Sequence, residues 1–466
     1  MAGARGQWGS RFGFIMAAVG SAVGLGNLVR FPRELAANGG AAYLFVYLIL
    51  LLFIGLPAIL GEMSLGKMSQ MSPVNAFRRL GGRNGRKWAV LGVMGLLAAT
   101  FVLFFYTVMT GWTLRFFFDG FTDKWFTAPT EYYDTIAYGP MAILWNAIVV
   151  AIVVAIVARG VSGGIEKVVV VIMPALFLII GGIVVYALLQ PGMGEGYAQV
   201  FKPDFSKLSP SNVSSAVGQV FFSLSLGQGA MLTYASYMEK RQSVTKDGSI
   251  TAFADTGVAI LAAMMIFPIL AFTGLLADPT TQGLMAEGSF GTAFKALPNA
   301  FVSMGDVVGR IVGTVFFLGL FFAALSSAIS LLEVPTSVLV DNVGFPRWKA
   351  ALLIGLVVYS FGVVAAINEN WFTLYDEIAV NFFIVVGVAL TTLFAGWVAP
   401  GVAKELDTGL KSRIGTYGVW MMRTFVPVAI LVVFFYGGLV GDDGSFWGEG
   451  AGWRDLAHEF KLAFGG

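Results

Sequence analysis

Gly20-Ser21-Ala22-Val23-Gly24-Leu25-Gly26-Asn27 and Ser223-Leu224-Ser225-Leu226-Gly227-Gln228-Gly229 decide how this chain is read. Each stretch puts glycines and small polar residues in the middle of an otherwise apolar segment. Glycine in a helix interior costs about 1 kcal/mol relative to alanine. Taken singly, either stretch fits close helix packing through small residues. Taken together they sit five apolar segments apart, and both carry polar side chains. Interrupted helices at matching positions of two halves are the mark of an inverted-repeat membrane fold. Their broken ends bare backbone carbonyls and amides, which can hold a cation and a carboxylate respectively.

The rest of the chain agrees with a membrane solvent. Of its 466 residues, 57% are hydrophobic and 12% charged, with a mean hydropathy of +0.80. A soluble domain carries about 25% charged residues, so this chain needs lipid around it. A net charge of +2 does not point to nucleic acid. There is no cysteine, which excludes disulfides and thiolate metal sites, and the single histidine is His458, outside any apolar segment. The N-terminus has no cleavable signal pattern.

Eleven segments have the roughly 20 apolar residues that a spanning helix needs. They run Phe12–Phe31, Tyr43–Leu65, Trp88–Phe117, Met141–Val157, Val168–Leu188, Val213–Tyr237, Ile250–Leu275, Val307–Leu339, Ala350–Ala366, Asp376–Val398 and Tyr417–Leu439. The expected fold is an all-α polytopic membrane protein of eleven transmembrane helices. It is a five-plus-five inverted repeat with broken first and sixth helices. Residues 1–11 form a cytoplasmic segment, 12–190 the first repeat and 191–398 the second. Residues 399–441 hold the eleventh helix with its preceding loop, and 442–466 an extracytoplasmic tail. Lys and Arg concentrate in alternate loops, from Lys67–Lys87 to Lys404–Arg413, while the intervening loops carry Asp119, Glu131, Asp278, Glu287 and Glu369. The positive-inside rule then puts the N-terminus in the cytoplasm and the C-terminus outside, in an inner (plasma) membrane.

At the level of motif, Arg5-Gly-Gln-Trp8 with Gly20 to Pro32 and Asn38-Gly39-Gly40 resembles the start of the neurotransmitter:sodium symporter family. That family includes the bacterial leucine transporter and the carriers for glycine, GABA and monoamines. Phe222 to Gly227 with Tyr234-Ala-Ser-Tyr237 resembles its sixth helix, Ala323-Ala-Leu-Ser326-Ser327 its eighth, and Gly164 with Pro174 a glycine–proline pair in its fifth. The resemblance implies sodium-coupled symport of a small amino acid. Beyond membrane lipid, no obligatory protein partner and no nucleic acid is expected. It implies two sodium sites built from hard oxygen ligands. The first would use the Ala22 carbonyl, Asn27, Ser223 and Asp255. The second would use carbonyls of Gly20, Val23 and Ala323 with the hydroxyls of Ser326 and Ser327. Substrate carboxylate would meet amides near Leu25 and Gly26 and the Tyr106 hydroxyl. Its amine would meet the region of Ala22, Phe222, Ser223 and Ser225, and its side chain Ser21, Val102, Phe222, Gln228, Ser327 and Leu331. Gly24 leaves room for a substrate that brings its own carboxylate, and Gln228 favours one that is small or partly polar. The outer gate would be Arg30 and Asp376, and the inner gate Arg5 and Asp341 beside Trp8 and Tyr237.

Three carboxylates lie deep in apolar segments: Glu62, Asp255 and Glu333. Such groups are functional suspects in a membrane. Glu62 is expected to hold the broken first helix by its bare amides, and Glu333 to reach solvent at the cytoplasmic end. Asp255 stands where, by the resemblance, chloride-dependent members have a neutral residue and bind chloride beside the first sodium. It would supply that negative charge itself, with Tyr47, Gln219 and Ser223 around it, and take up a proton when the empty carrier returns. A proton-driven transporter of the same architecture is the alternative. A channel would want charge rings or a filter repeat, and an intramembrane enzyme a nucleophile–base pair; neither is present. Proline lacks an amide and weakens the preceding helix, so Pro174 is expected to help the fifth segment open towards the cytoplasm. Pro174→Ala should slow transport more than it weakens equilibrium substrate binding, and equal losses would show misfolding instead.

Overall fold

The computed structural model describes residues 6–286, 289–411, 413–439 and 462. Arg5, Glu287, His458 and the tail from Asp442, apart from Leu462, lie outside the described residues. Among those described, no strand forms and helices carry the chain. Eight are long and apolar enough to cross a membrane: α3 (Ala41–Ser69), α4 (Gly82–Asp119), α5 (Pro140–Ala158), α6 (Val161–Leu188), α9 (Val244–Phe272), α10 (Asp306–Val343), α11 (Arg347–Ile367) and α12 (Glu369–Val398). Together α1 (Arg11–Ala22) and α2 (Gly26–Ala37) make a ninth, bent by 53° at its break. The fold is therefore an all-α, multi-pass membrane bundle.

The remaining two predicted spans are interrupted. One is α7 (Pro210–Ser223) and α8 (Ala230–Ala235) with turns between them. The other is α13 (Gly415–Arg423) and α14 (Phe425–Leu439), broken at Thr424, where an unbroken helix was expected. The reason is local. The Arg423 side chain reaches back to donate to the Gly396 carbonyl at 2.5 Å, while its own carbonyl accepts from Trp397 Nε1 at 3.1 Å. Pro427, four residues on, has no amide to give that carbonyl, so the helix ladder breaks there.

Both central breaks have backbone causes. Helix α1 starts cleanly on Ser10, whose hydroxyl accepts from the Gly13 amide, and stops where Val23 turns extended at ψ 109°. In the other break Ser225, Gly227 and Gly229 all take positive φ, 51°, 73° and 73°. Only the last two have the side chain for it, because a Cβ in this region meets the backbone. At Gly227 a Cβ would also fall 2.6 Å from the Ile384 carbonyl, so α12 closes directly on the break. Helix α1 packs on α6, α9 and α10, α2 on α9, and α8 on α3. The two interrupted elements thus stand at the centre, with unbroken helices around them.

Two buried carboxylates depart from expectation. Glu62, 2% exposed, holds the second break rather than the first. Its oxygens accept from the Gly227 amide at 3.0 Å and the Leu232 amide at 3.4 Å, because α3 lies against α8. Glu333 is wholly buried instead of solvated. Tyr237 donates to it at 2.6 Å, and Arg347, from the start of α11, folds over to pair with it while donating to the Val157 carbonyl at 2.8 Å. One ion pair thereby ties together α5, α10, α11 and the end of α8. Removing one partner of a buried pair costs about 3–5 kcal/mol. Arg347→Met should lower the thermal midpoint in detergent markedly, and Arg347→Met with Glu333→Gln should recover most of the loss.

Candidate functional site

The two breaks are joined by a hydrogen bond from Ser225 Oγ to the Ser21 carbonyl at 2.7 Å and by another from Asn27 to Ser223 at 2.9 Å. Around them lies a contracted cavity of about 20 Å³, room for one or two waters. It is lined by Ala22, Gly26, Val102, Tyr106, Phe222, Ser223, Ser225, Gln228, Ser327 and Leu331, all expected, and by Gly24 and Asn27 as well. Two expected residues are not among its lining. The Ser21 hydroxyl turns away to donate to Ser330 at 2.8 Å, so Ser21 offers this region its carbonyl and not its side chain. Leu25 faces the outer cavity, although its amide stays 3.4 Å from the Tyr106 hydroxyl. Gly24 is tight as well as small: a Cβ there would lie 2.8 Å from both Ser327 Oγ and the Tyr106 hydroxyl.

On one side of this cavity Asp255, Asn27 and Ser223 form a fully buried shell. Ser223 donates to Asp255 Oδ2 at 2.6 Å, and the Asn27 amide nitrogen donates to Asp255 Oδ1 at 2.7 Å. That nitrogen also lies 2.9 Å from Ser223 Oγ and 3.1 Å from the Asp255 carbonyl. The Asn27 oxygen instead accepts from the Gly24 amide at 3.1 Å. To serve as an oxygen ligand beside Asp255, this amide has to turn over. The shell's donors are all neutral, so nothing in it would balance a negative charge on the carboxylate, and a cation fits there. Nearby Gln219 donates to the Gly26 carbonyl at 3.1 Å; its own oxygen and the Tyr47 hydroxyl are buried without hydrogen bonds among the described residues.

On the other side Ser327 Oγ lies 3.3 Å from the carbonyls of Val23 and Ala323 and 3.4 Å from those of Gly20 and Ser21. A hydroxyl has one proton to give. Four carbonyl dipoles converging on it make an environment that a cation satisfies and a single O–H does not. Ser326 keeps an intrahelical bond, donating to the Ala323 carbonyl at 2.9 Å.

Above the cavity Arg30 and Asp376 face one outer cavity of about 410 Å³ without a direct ion pair among the described contacts. The Arg30 guanidinium stacks 5.6 Å from the Phe222 ring, and Phe222 and Gly26 line both cavities. Below it, Trp8 is buried against Phe14, Tyr234 and Tyr237. Its ring nitrogen donates to the Tyr234 carbonyl at 3.0 Å. Asp341 accepts from the Ser72 amide at 2.8 Å; its expected partner Arg5 lies outside the described residues. The sequence reading missed a further tie at this end of the bundle, Arg11 to the buried Asp247 at 2.6 Å. No local motif announces it, because the partners come from α1 and α9.

Comparison with known proteins gives a consistent picture. Residues 5–139 and 136–440 match the model of the Sodium:neurotransmitter symporter family. An uncharacterized sodium-dependent transporter of Haemophilus influenzae is 32% identical, covering 92% of this chain and 97% of its own. Another, from Bacillus subtilis, is 31% identical over 92% and 96%. The crystal structure of MhsT in complex with L-phenylalanine superposes with a TM-score of 0.82 at 36% identity, covering 92% of this chain and 99% of that one.

Ser326→Ala with Ser327→Ala removes the hydroxyls at the convergence of carbonyls. The sodium concentration needed for half-maximal substrate binding should rise by about tenfold or more, the effect of about 1.4 kcal/mol. An unchanged sodium titration would refute the assignment.

Proposed function

The chain belongs to the sodium:neurotransmitter symporter family, and from that premise we propose that it imports a small amino acid by alternating access, with two sodium ions and without chloride. Sodium coupling itself comes with the family; the substrate, the sites and the ion requirements are the proposal. The observation that carries it is the convergence of four carbonyls on Ser327 beside a cavity also lined by Asn27 and Ser223, the two side chains that donate to Asp255. The first sodium would sit with Ala22, Asn27, Ser223 and Asp255, and the second with Gly20, Val23, Ala323, Ser326 and Ser327.

The tightness at Gly24 and the Tyr106 hydroxyl beside the Leu25 amide suit a substrate whose carboxylate enters that corner and completes the first ion site. Gln228 faces the cavity as a buried amide. An unpaired buried polar group costs about 1–3 kcal/mol, so a small or partly polar side chain is favoured over a large apolar one. The protein would lie in the inner (plasma) membrane with its N-terminus in the cytoplasm and its C-terminus outside. Arg30 and Asp376 would close the outer path. Trp8, with Asp341 and Arg5, would close the inner one.

Asp255 makes chloride unnecessary in this reading, because a fixed carboxylate already balances the first sodium. On the return of the empty carrier it would take up a proton from the cytoplasm and release it outside. Uptake into reconstituted vesicles should be concentrative, collapse without a sodium gradient, and persist when chloride is replaced by gluconate. Asp255→Asn should make uptake depend on chloride. Wild-type uptake that stops in gluconate would defeat the account of Asp255, and uptake indifferent to sodium would defeat the assignment of the two ion sites.

A further inference from the structure

We propose that Glu166 is a positioning residue that latches the cytoplasmic end of α1 to the start of α6, so that loosening of α6 and release of α1 are a single event. This rests on the alternating-access reading above.

The two residues ahead of α1 spend their donors on this one carboxylate. The Gly9 amide donates to Glu166 Oε2 at 2.6 Å, and the Ser10 hydroxyl donates to Oε1 at 2.8 Å. The same Ser10 oxygen accepts from the Gly13 amide at 2.9 Å and so caps α1. Glu166 therefore orients the cap that starts the helix, and its charge sits at the positive end of the α1 dipole. The fit is close. A Cβ on Gly13 would fall 2.0 Å from Glu166 Oε1 and 2.3 Å from its carboxyl carbon, so α1 lies directly on the carboxylate. Glu166 is buried although it lies within the first two turns of α6.

The other end of the latch is the stretch of α6 least held by its own ladder. Just before Glu166 the chain winds as a wide turn over Val161–Ile165, in which the amides of Gly164 and Ile165 share the Gly160 carbonyl. Gly164 packs so closely that a Cβ would fall 2.1 Å from the Ile156 carbonyl. Further along, Pro174 interrupts α6 and leaves the carbonyl one turn back without its amide. Glu166 stands between these two weak points. If this turn unwinds, the carboxylate leaves Gly9 and Ser10 with it.

Arg11 makes a second tie, to the buried Asp247 on α9, with its own side chain 54% exposed. That tie runs to a different helix and does not depend on the winding of α6. Glu166 stands on α6 itself, so it is the contact that couples the two movements.

The chain has no cysteine, so a single reporter reads this directly. Ser236→Cys places a thiol between Tyr234 and Tyr237, the two tyrosines that Trp8 covers. In vesicles of known sidedness, an impermeant maleimide applied from the cytoplasmic side should label it slowly in sodium and faster without. Glu166→Gln keeps the shape but cannot accept from both donors; it should speed labelling in sodium roughly tenfold while substrate binding survives with a raised sodium requirement. Ser10→Ala should act in the same direction, and should add little once Glu166→Gln is present. Glu166→Asp, which keeps the charge, should be intermediate. A normal sodium response in the parent with labelling of Glu166→Gln at the parent rate would overturn the latch alone. A parent reporter indifferent to sodium would overturn the alternating-access reading and the latch together.

Discussion

The structure depends on a backbone constraint. Two helices stop in the interior of an apolar bundle, and every amide and carbonyl they expose there needs a partner, since hydrocarbon offers none. Glu62 takes two amides of the second break, Asn27 takes the Gly24 amide of the first, and Ser225 reaches across to the Ser21 carbonyl. Ser225 is held at φ 51°, a conformation that strains a side chain with a Cβ. Four carbonyls crowd the single Ser327 hydroxyl, and the Asp255 carboxylate takes only neutral donors. On the proposed reading, arriving cations would complete both places.

The sequence makes depth and interruption legible. Glycines beside Ser21 and Asn27, and again beside Ser225 and Gln228, announce two breaks because no straight apolar helix has use for them there. The motif around them extends to ten residues that do line the cavity. Partners across the bundle are another matter. The depth of Glu62 is plain from its segment, but nothing local says that α3 lies on α8 rather than on α2. Glu333 reads as solvated because it lies near a helix end, and only the return of Arg347 from the following helix buries it. Ser330 claims the Ser21 hydroxyl from 309 residues away. The break at Thr424 has a local sign in Pro427, which leaves the Arg423 carbonyl without a helical amide, but the partners Arg423 finds at Gly396 and Trp397 have none.

The two faces of the site are closed by unlike means. At one face, the start of α1 is held by backbone and side-chain bonds to α6, α9 and the carbonyl of Tyr234, with Trp8 sealed among aromatic rings. At the other there is a broad cavity, and the Phe222 ring lies between it and the small one. On the proposed reading, opening the first face would require several buried bonds to break together, and opening the second would turn on Phe222.

That ring has a consequence for recognition. Because Phe222 walls both cavities, a bound molecule and the closure above it compete for the same few ångströms. A ligand that lets the ring lie flat under Arg30 completes its own enclosure. On the proposed reading, a slightly larger one with the same polar groups would bind as well yet prop the ring upright, and the carrier would stay open on that side with its cargo aboard. The boundary between passenger and blocker is then drawn by the thickness of a side chain rather than by its chemistry.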